Sequence, residues 1–322
     1  MATIIERLDV GDIPENSRHE FDLTIASLAD GTTLRLPLHV AVGRRPGPCL
    51  AIAAGVHGDE PEGIIAISDF WRDADLAQLR GVLILVPVAN PPAFAAGQRR
   101  SPLDGVDLNR AFPGRATGSP SERIADRLYR LVVDNAQFLF TLHSWYATGD
   151  TLPHVEFLTG HSSTSAASLA AARASGFTHI RAANWHPGLF PSAVNAAGIP
   201  AIEAEIGGMG AARAENHGRY RAHMFALMQH LTMLPGGGAP ATSRAVYEST
   251  HILACNGGML RPKIDLGTLV KEGTVLGAIT DLQGIEREEL RAPHDGILMM
   301  RRMFLSVNPG DLAFTLFKLV EG

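Results

Sequence analysis

Apolar residues are not spread evenly along the 322-residue chain. Residues 21–27 and 33–42 alternate imperfectly between apolar and polar positions and flank Ala29-Asp30-Gly31. Asp-Gly between two such runs predicts a β-hairpin. Cys49 to Ala54 and Val82 to Val88 are continuous apolar runs. Continuous rather than alternating apolarity predicts strands covered on both faces, as in a parallel sheet. Between them Ile64, Ile65, Ile67, Phe70 and Trp71 predict a helix that ends in the charged segment Arg72–Asp75. Strand, helix and strand in this order form a βαβ unit.

Asn90-Pro-Pro92 stops the second run, and the chain to Pro120 is rich in Gly, Pro and Arg and predicts an irregular loop. A loop that long in a compact domain is usually functional. A helix over about 121–135 follows, capped by Ser119 or Ser121, with Ile124, Leu128, Leu131 and Val132 at helical spacing. Residues 137–142 predict a third strand ending on His143-Ser144. An Ala/Ser helix over 163–175, a short strand over 201–206 ending in Gly207-Gly208, and a long helix over about 211–233 complete the pattern. Alternating strands and helices predict an α/β fold. Beyond the Pro/Gly-rich stretch at 234–240 the character changes to short runs punctuated by glycine, an all-β pattern. The expected division is a catalytic domain over 1–234, a linker over 235–244 and a small β-rich domain over 245–322.

Composition narrows the function. Hydrophobic residues make up 46% of the chain, enough for a full core, and the formal net charge of −5 argues against nucleic acid as a partner. Two cysteines, Cys49 and Cys255, provide neither a disulfide framework nor a cysteine-rich metal site. No stretch approaches the ~18 apolar residues of a membrane span, and no signal layout opens the chain, so a cytoplasmic location without membrane contact is expected. Homo-oligomer formation is left open.

Three predicted strand ends carry chemically capable residues: His57 with Glu60, then His143, then Glu205. In an open α/β sheet the carboxyl ends of parallel strands share one edge, where ligands bind. Two imidazoles and a carboxylate form a protein ligand set for catalytic zinc, with the fourth position left for water. A further carboxylate is needed to take a proton and pass it to a leaving amine. Glu205 fits that role, with Glu203, two residues earlier on the same strand face, as its competitor. Asp107 is either another acid or an orienting group for its loop. Arginines suit a substrate carboxylate or a developing oxyanion. Trp145, Tyr146 and His186 read as packing or loop residues, with pocket lining as the alternative.

Six motifs in order, His57-Gly-Asp-Glu60, Asn90-Pro-Pro-Ala-Phe94, Arg99-Arg-Ser-Pro102, Asp107-Leu-Asn-Arg-Ala-Phe-Pro-Gly114, Leu142-His143-Ser144 and Glu205-Ile-Gly207, resemble the succinylglutamate desuccinylase/aspartoacylase family of zinc carboxypeptidase-like hydrolases. The resemblance implies a mixed sheet flanked by helices and one zinc per chain held by His57, Glu60 and His143. It implies Glu205 as general base, and Asn109 and Arg110 on a substrate carboxylate. Arg99 would polarise the scissile carbonyl, with Arg100 as the alternative because the spacing to Asn109 is longer than in human-type aspartoacylases. The implied reaction is hydrolysis of a small N-acyl amino acid. Chain length and the Arg99–Pro102 loop are similar to bacterial deacylases of the N-acetyl-diaminobutyrate type. Residues 265–277, 292–296 and 306–311 resemble a biotinyl/lipoyl-type sandwich barrel, but its expected tip, Asp281 to Leu290, has no lysine, which implies a scaffold and not a carrier. A carboxypeptidase-like peptidase and a non-catalytic binding module are the competing functions.

Overall fold

The computed structural model describes residues 2–236 and 245–321; most of the expected linker, 237–244, lies outside them. The chain opens with β1 (Thr3–Ile5) and the hairpin β2 (Ser17–Ser27) and β3 (Thr33–Val42). Then come β4 (Arg45–Ala54), α1 (Pro61–Asp73), β5 (Arg80–Val86), α2 (Pro91–Ala96), α3 (Pro120–Asn135) and β6 (Phe138–His143). The strands β7 (Gly149–Thr151) and β8 (His154–Leu158) precede α4 (Ser163–Ala174), β9 (Ile180–Ala183), α5 (Phe190–Ala196), β10 (Ala201–Glu205) and α6 (Ala214–His230). The remainder is all strand: β11 (Val246–Leu253), β12 (Gly258–Pro262), β13 (Leu269–Val270), β14 (Val275–Thr280), β15 (Glu286–Arg291), β16 (Gly296–Arg302), β17 (Ser306–Val307) and β18 (Leu312–Glu321).

The predicted irregular loop is partly helical. Asn90-Pro-Pro reads as a stop, yet it starts α2: the Asn90 side chain caps the helix, and the prolines occupy the first turn, where a missing N–H costs nothing. The predicted helix after 120 begins on a capping box, with Ser119 accepting from the Glu122 amide while Glu122 accepts from the Ser119 amide.

The main sheet is mixed, with strand order β1-β2-β3-β5-β4-β6-β10-β8-β9-β11-β18-β16-β13 and β7 paired with β16. Its centre, β5-β4-β6-β10, is parallel. The continuous apolar runs have the expected cause. Alternate residues of β4 enter different cores: Leu50, Ile52 and Ala54 pack with α1, α4 and α6, while Ala51 and Ala53 pack with α3, α5 and the hairpin. Ile67 and Phe70 of α1 are fully buried, each worth roughly 1.5–3 kcal/mol of apolar burial. Gly63 lets α1 approach the sheet, since a Cβ there would sit 2.8 Å from Leu142 Cβ.

The C-terminal strands build a smaller sheet, β15-β14-β12-β17, around Leu260, Leu276, Ile279, Leu298 and Phe314. They also extend the main sheet, because β11 pairs parallel with β9 and antiparallel with β18. Among the described residues no helix is long and apolar enough to cross a membrane.

Candidate active site

Strand register places the candidate residues. Ala54 pairs with Leu142 and His143 pairs with Glu205, so β4, β6 and β10 end side by side. After β4 the turn around Gly55 and Gly58 carries His57 and Glu60, and Glu60 occupies the N-cap position of α1 just ahead of Pro61 without a side-chain capping bond. His57, Glu60 and His143 are buried, and one ligand atom from each lies within 4.8 Å of the others.

Glu60 lies between the two rings. Its Oε1 is 2.7 Å from His57 Nδ1, and its Oε2 is 2.9 Å from His143 Nδ1 and accepts from the Ser144 amide at 3.2 Å. Burial pushes its carboxyl up, but the adjacent imidazoles outweigh that and hold it below the usual carboxylate range. Each ring turns its other nitrogen toward a second carboxylate. His57 Nε2 is 3.2 Å from Asp107 Oδ1, and His143 Nε2 is 3.2 Å from Glu203 Oε2, an ion-pair contact and not an aligned hydrogen bond. Although burial opposes it, the Glu203 and Glu60 charges raise the His143 pKa well above the imidazole norm.

This donor set fits a zinc-like divalent cation. Two imidazoles and a carboxylate converge through Nδ1, Nδ1 and carboxylate oxygen, and both Nε2 atoms have carboxylates that would fix tautomer and ring orientation. Asp107 thus has an orienting place: besides His57 it accepts from Arg99 Nε at 3.1 Å and from the Asn109 amide at 3.0 Å.

Arg99 and Arg100 part company. Arg99 Nη1 donates to Glu60 Oε1 at 3.3 Å, and the guanidinium lies over the Tyr146 ring at 4.4 Å. Arg100 is exposed and donates to the Gly105 carbonyl at 3.4 Å. Asn109 uses its side-chain oxygen to accept the Phe190 amide at 2.8 Å, and Arg110 Nη1 donates to the Asn109 carbonyl at 2.7 Å.

Glu203 and Glu205 are distinguished by their contacts. Glu203 Oε2 accepts from Thr141 Oγ1 at 3.1 Å and faces His143. Glu205 Oε2 is buried with no partner among the described residues. Burial and the neighbouring Glu60 and Glu203 charges hold the Glu205 carboxyl well above its usual range.

Apart from Asp107 and Arg100, the candidate residues line one cavity of about 210 Å³ that also includes Trp145, Tyr146 and His186. Those three are therefore cavity residues as well as loop residues, the less favoured of the two readings from sequence. The order of residues gives no hint of this for Tyr146, whose backbone is left-handed (φ 25°) in a loop gripped by β16. Sequence reasoning also missed Glu156, Arg181 and His251, which line the same cavity from β8, β9 and β11. Glu62 escaped as well. It is buried in the first turn of α1, and burial raises its pKa to about 7.

Residues 46–231 match the model of the succinylglutamate desuccinylase/aspartoacylase catalytic domain. The N-alpha-acetyl-L-2,4-diaminobutyric acid deacetylase of Halomonas elongata is 31% identical over 293 residues, 87% of this chain and 85% of that protein. A crystal structure of a succinylglutamate desuccinylase/aspartoacylase from Rhodobacter sphaeroides superposes with a TM-score of 0.88 at 27% identity, covering 98% of this chain and 99% of that one. A product-bound structure of the ectoine utilization protein EutE from Ruegeria pomeroyi gives 0.86 at 27% identity, covering 95% and 97%. With the family model covering more than half of its length, the chain belongs to the succinylglutamate desuccinylase/aspartoacylase family.

Proposed function

We propose that this protein hydrolyses the amide bond of a small N-acyl amino acid in a zinc-dependent reaction. The observation that carries the reading is the convergence of His57, Glu60 and His143 within 4.8 Å, with an unpartnered Glu205 oxygen in the same cavity. His57 and His143 would hold the ion through Nδ1 and Glu60 through its carboxylate. A zinc ion bound there would supply a Lewis acid for the substrate carbonyl and would lower the pKa of water to about 7.

The chain's own groups do the rest. Asn109 and Arg110 bind the substrate carboxylate, and Arg99, beside Glu60, polarises the scissile carbonyl. Glu205 Oε2 takes a proton from the attacking water and delivers it to the amine nitrogen as the C–N bond breaks. The products are a carboxylic acid and a free amine. Identity to the Halomonas enzyme supports N-acetyl-diaminobutyrate as the first substrate to assay.

Residues 245–321 serve in this reading as a scaffold of the biotinyl/lipoyl-like type that walls the cavity. His251 in the lining and the pairing of β7 with β16 support that role. The division at 234 and 245 is then one of sequence more than of working parts.

The test is metal analysis together with amine release from a panel of N-acetyl, N-succinyl and N-formyl amino acids. One zinc per chain and chelator-sensitive amine release are expected. Zinc-loaded protein that releases amine from none of them overturns the reading, and preference for blocked dipeptides turns it toward a peptidase.

A further inference from the structure

We propose that Arg181, braced by Glu156, is a carboxylate anchor of the cavity, separate from Asn109 and Arg110. This rests on the amide-hydrolase reading and specifies what its substrate must carry.

Register pairs Thr141 with Glu203, Glu203 with Glu156, and Glu156 with Arg181. Residues directly opposite on neighbouring strands share a face, so these four form one polar row across β6, β10, β8 and β9. The row begins beside His143, since Glu203 faces that ring. Two strand spacings separate Glu203 from Arg181, about 10 Å between backbones, a span that a small N-acyl amino acid and an arginine side chain bridge together.

Glu156 is not available to a ligand. Its Oε1 accepts from Arg181 Nη1 at 2.5 Å and faces His154 Nε2 at 3.3 Å, while Oε2 accepts from Trp185 Nε1 at 3.1 Å. Arg181, His154 and Trp185 thus surround the Glu156 carboxylate. Arg181 is the reverse case. Among the described residues only its Nη1 has an acceptor, its Nε is buried without one, and 17% of the side chain remains open where it lines the cavity. A guanidinium has five N–H donors in a planar fork that matches a carboxylate. Glu156 therefore positions the fork and leaves most of it for the substrate. The carboxylate it reads is either that of the amino acid itself, in place of the Asn109 and Arg110 pair, or an additional one on the acyl group or side chain.

The experiment measures KM and kcat for N-acetyl-diaminobutyrate, N-acetylaspartate, an N-succinyl amino acid and an N-acetyl amino acid carboxamide. The proteins are the wild type, Arg181→Lys and the double variant Arg181→Gln/Glu156→Gln, which leaves no unpaired carboxylate behind. The expected result is a KM raised roughly tenfold or more with kcat changed by less than about threefold. A rise on every α-carboxylate substrate that spares the carboxamide assigns the anchor to the amino-acid carboxylate. A rise confined to N-acetylaspartate or the succinyl substrate assigns it to the additional one. Unchanged KM values, or an equal fall in kcat on all four, overturn the proposal. Calorimetric binding of the same acids keeps the two readings apart. Affinity that disappears with Arg181 supports the anchor even if the wild type releases no amine, whereas affinity that persists refutes it.

Discussion

Glu203 Oε2 lies 3.2 Å from His143 Nε2, while the ring's other nitrogen faces Glu60 at 2.9 Å. The glutamate that competes with Glu205 for the role of base is thus occupied with holding a histidine. Glu203→Gln, which keeps the size of the side chain, is expected to weaken zinc binding by about 10- to 100-fold. At saturating zinc kcat should stay close to wild type. Competition with a chromogenic chelator measures this, and a Glu203→Gln enzyme with normal affinity but no turnover would make Glu203 the base after all.

Glu205→Gln tests the other member of the pair. Loss of a general base costs about 10²- to 10⁴-fold in rate. Zinc content should be kept and the melting temperature should not fall, because Glu205 Oε2 has no hydrogen-bond partner among the described residues and its carboxylate is already disfavoured by burial and by Glu60 and Glu203. Turnover within a few-fold of wild type would remove Glu205 from the reaction.

Gly63 sets the seat of α1, and Glu60 immediately precedes the first residue of that helix. In Gly63→Ala the new methyl meets Leu142 and Ala54, at 2.8 and 3.1 Å between Cβ atoms. Overpacking of this kind costs about 1–3 kcal/mol. Denaturant melts should show that loss, accompanied by weaker zinc binding as Glu60 shifts with the helix. A variant as stable as wild type with intact affinity contradicts the assignment.

His223 stacks on Phe177 with ring centroids 3.6 Å apart, and its Nδ1 donates to the Ser175 carbonyl at 2.8 Å. Burial lowers its pKa to about 4, so the folded ring is neutral where the unfolded one, near 6.5, already binds a proton. The unfolded state therefore gains as pH falls from about 6.5 to about 4, and the loss of stability, on the order of 3 kcal/mol, levels off below that. His223→Asn keeps a donor for Ser175 and should flatten the stability profile between about pH 7 and about pH 5. Equal slopes in both proteins would show that His223 is not the responsible group.

Much of the centre of the molecule was legible because its strands are doubly covered and parallel. Their apolar runs mark them, and each ends on a residue unsuited to a core: His57 shortly after β4, His143 on β6, Glu205 on β10. The far end of the cavity was not legible. His154–Leu158 and Ile180–Ala183 are four or five residues long with charged members, and nothing in their order announces that Glu156 stands beside Arg181. The change of character after 234 was visible, but the return of β11 to the main sheet was not, since pairing between distant segments leaves no local trace.

That return has a consequence for any attempt to isolate the first 236 residues. Without Val246 and Tyr247 alongside Ile180 and Arg181, β9 would present its backbone donors and acceptors to whatever strand came next. Such a margin invites pairing between molecules. A shortened protein is expected to precipitate or self-associate before its chemistry could be assayed.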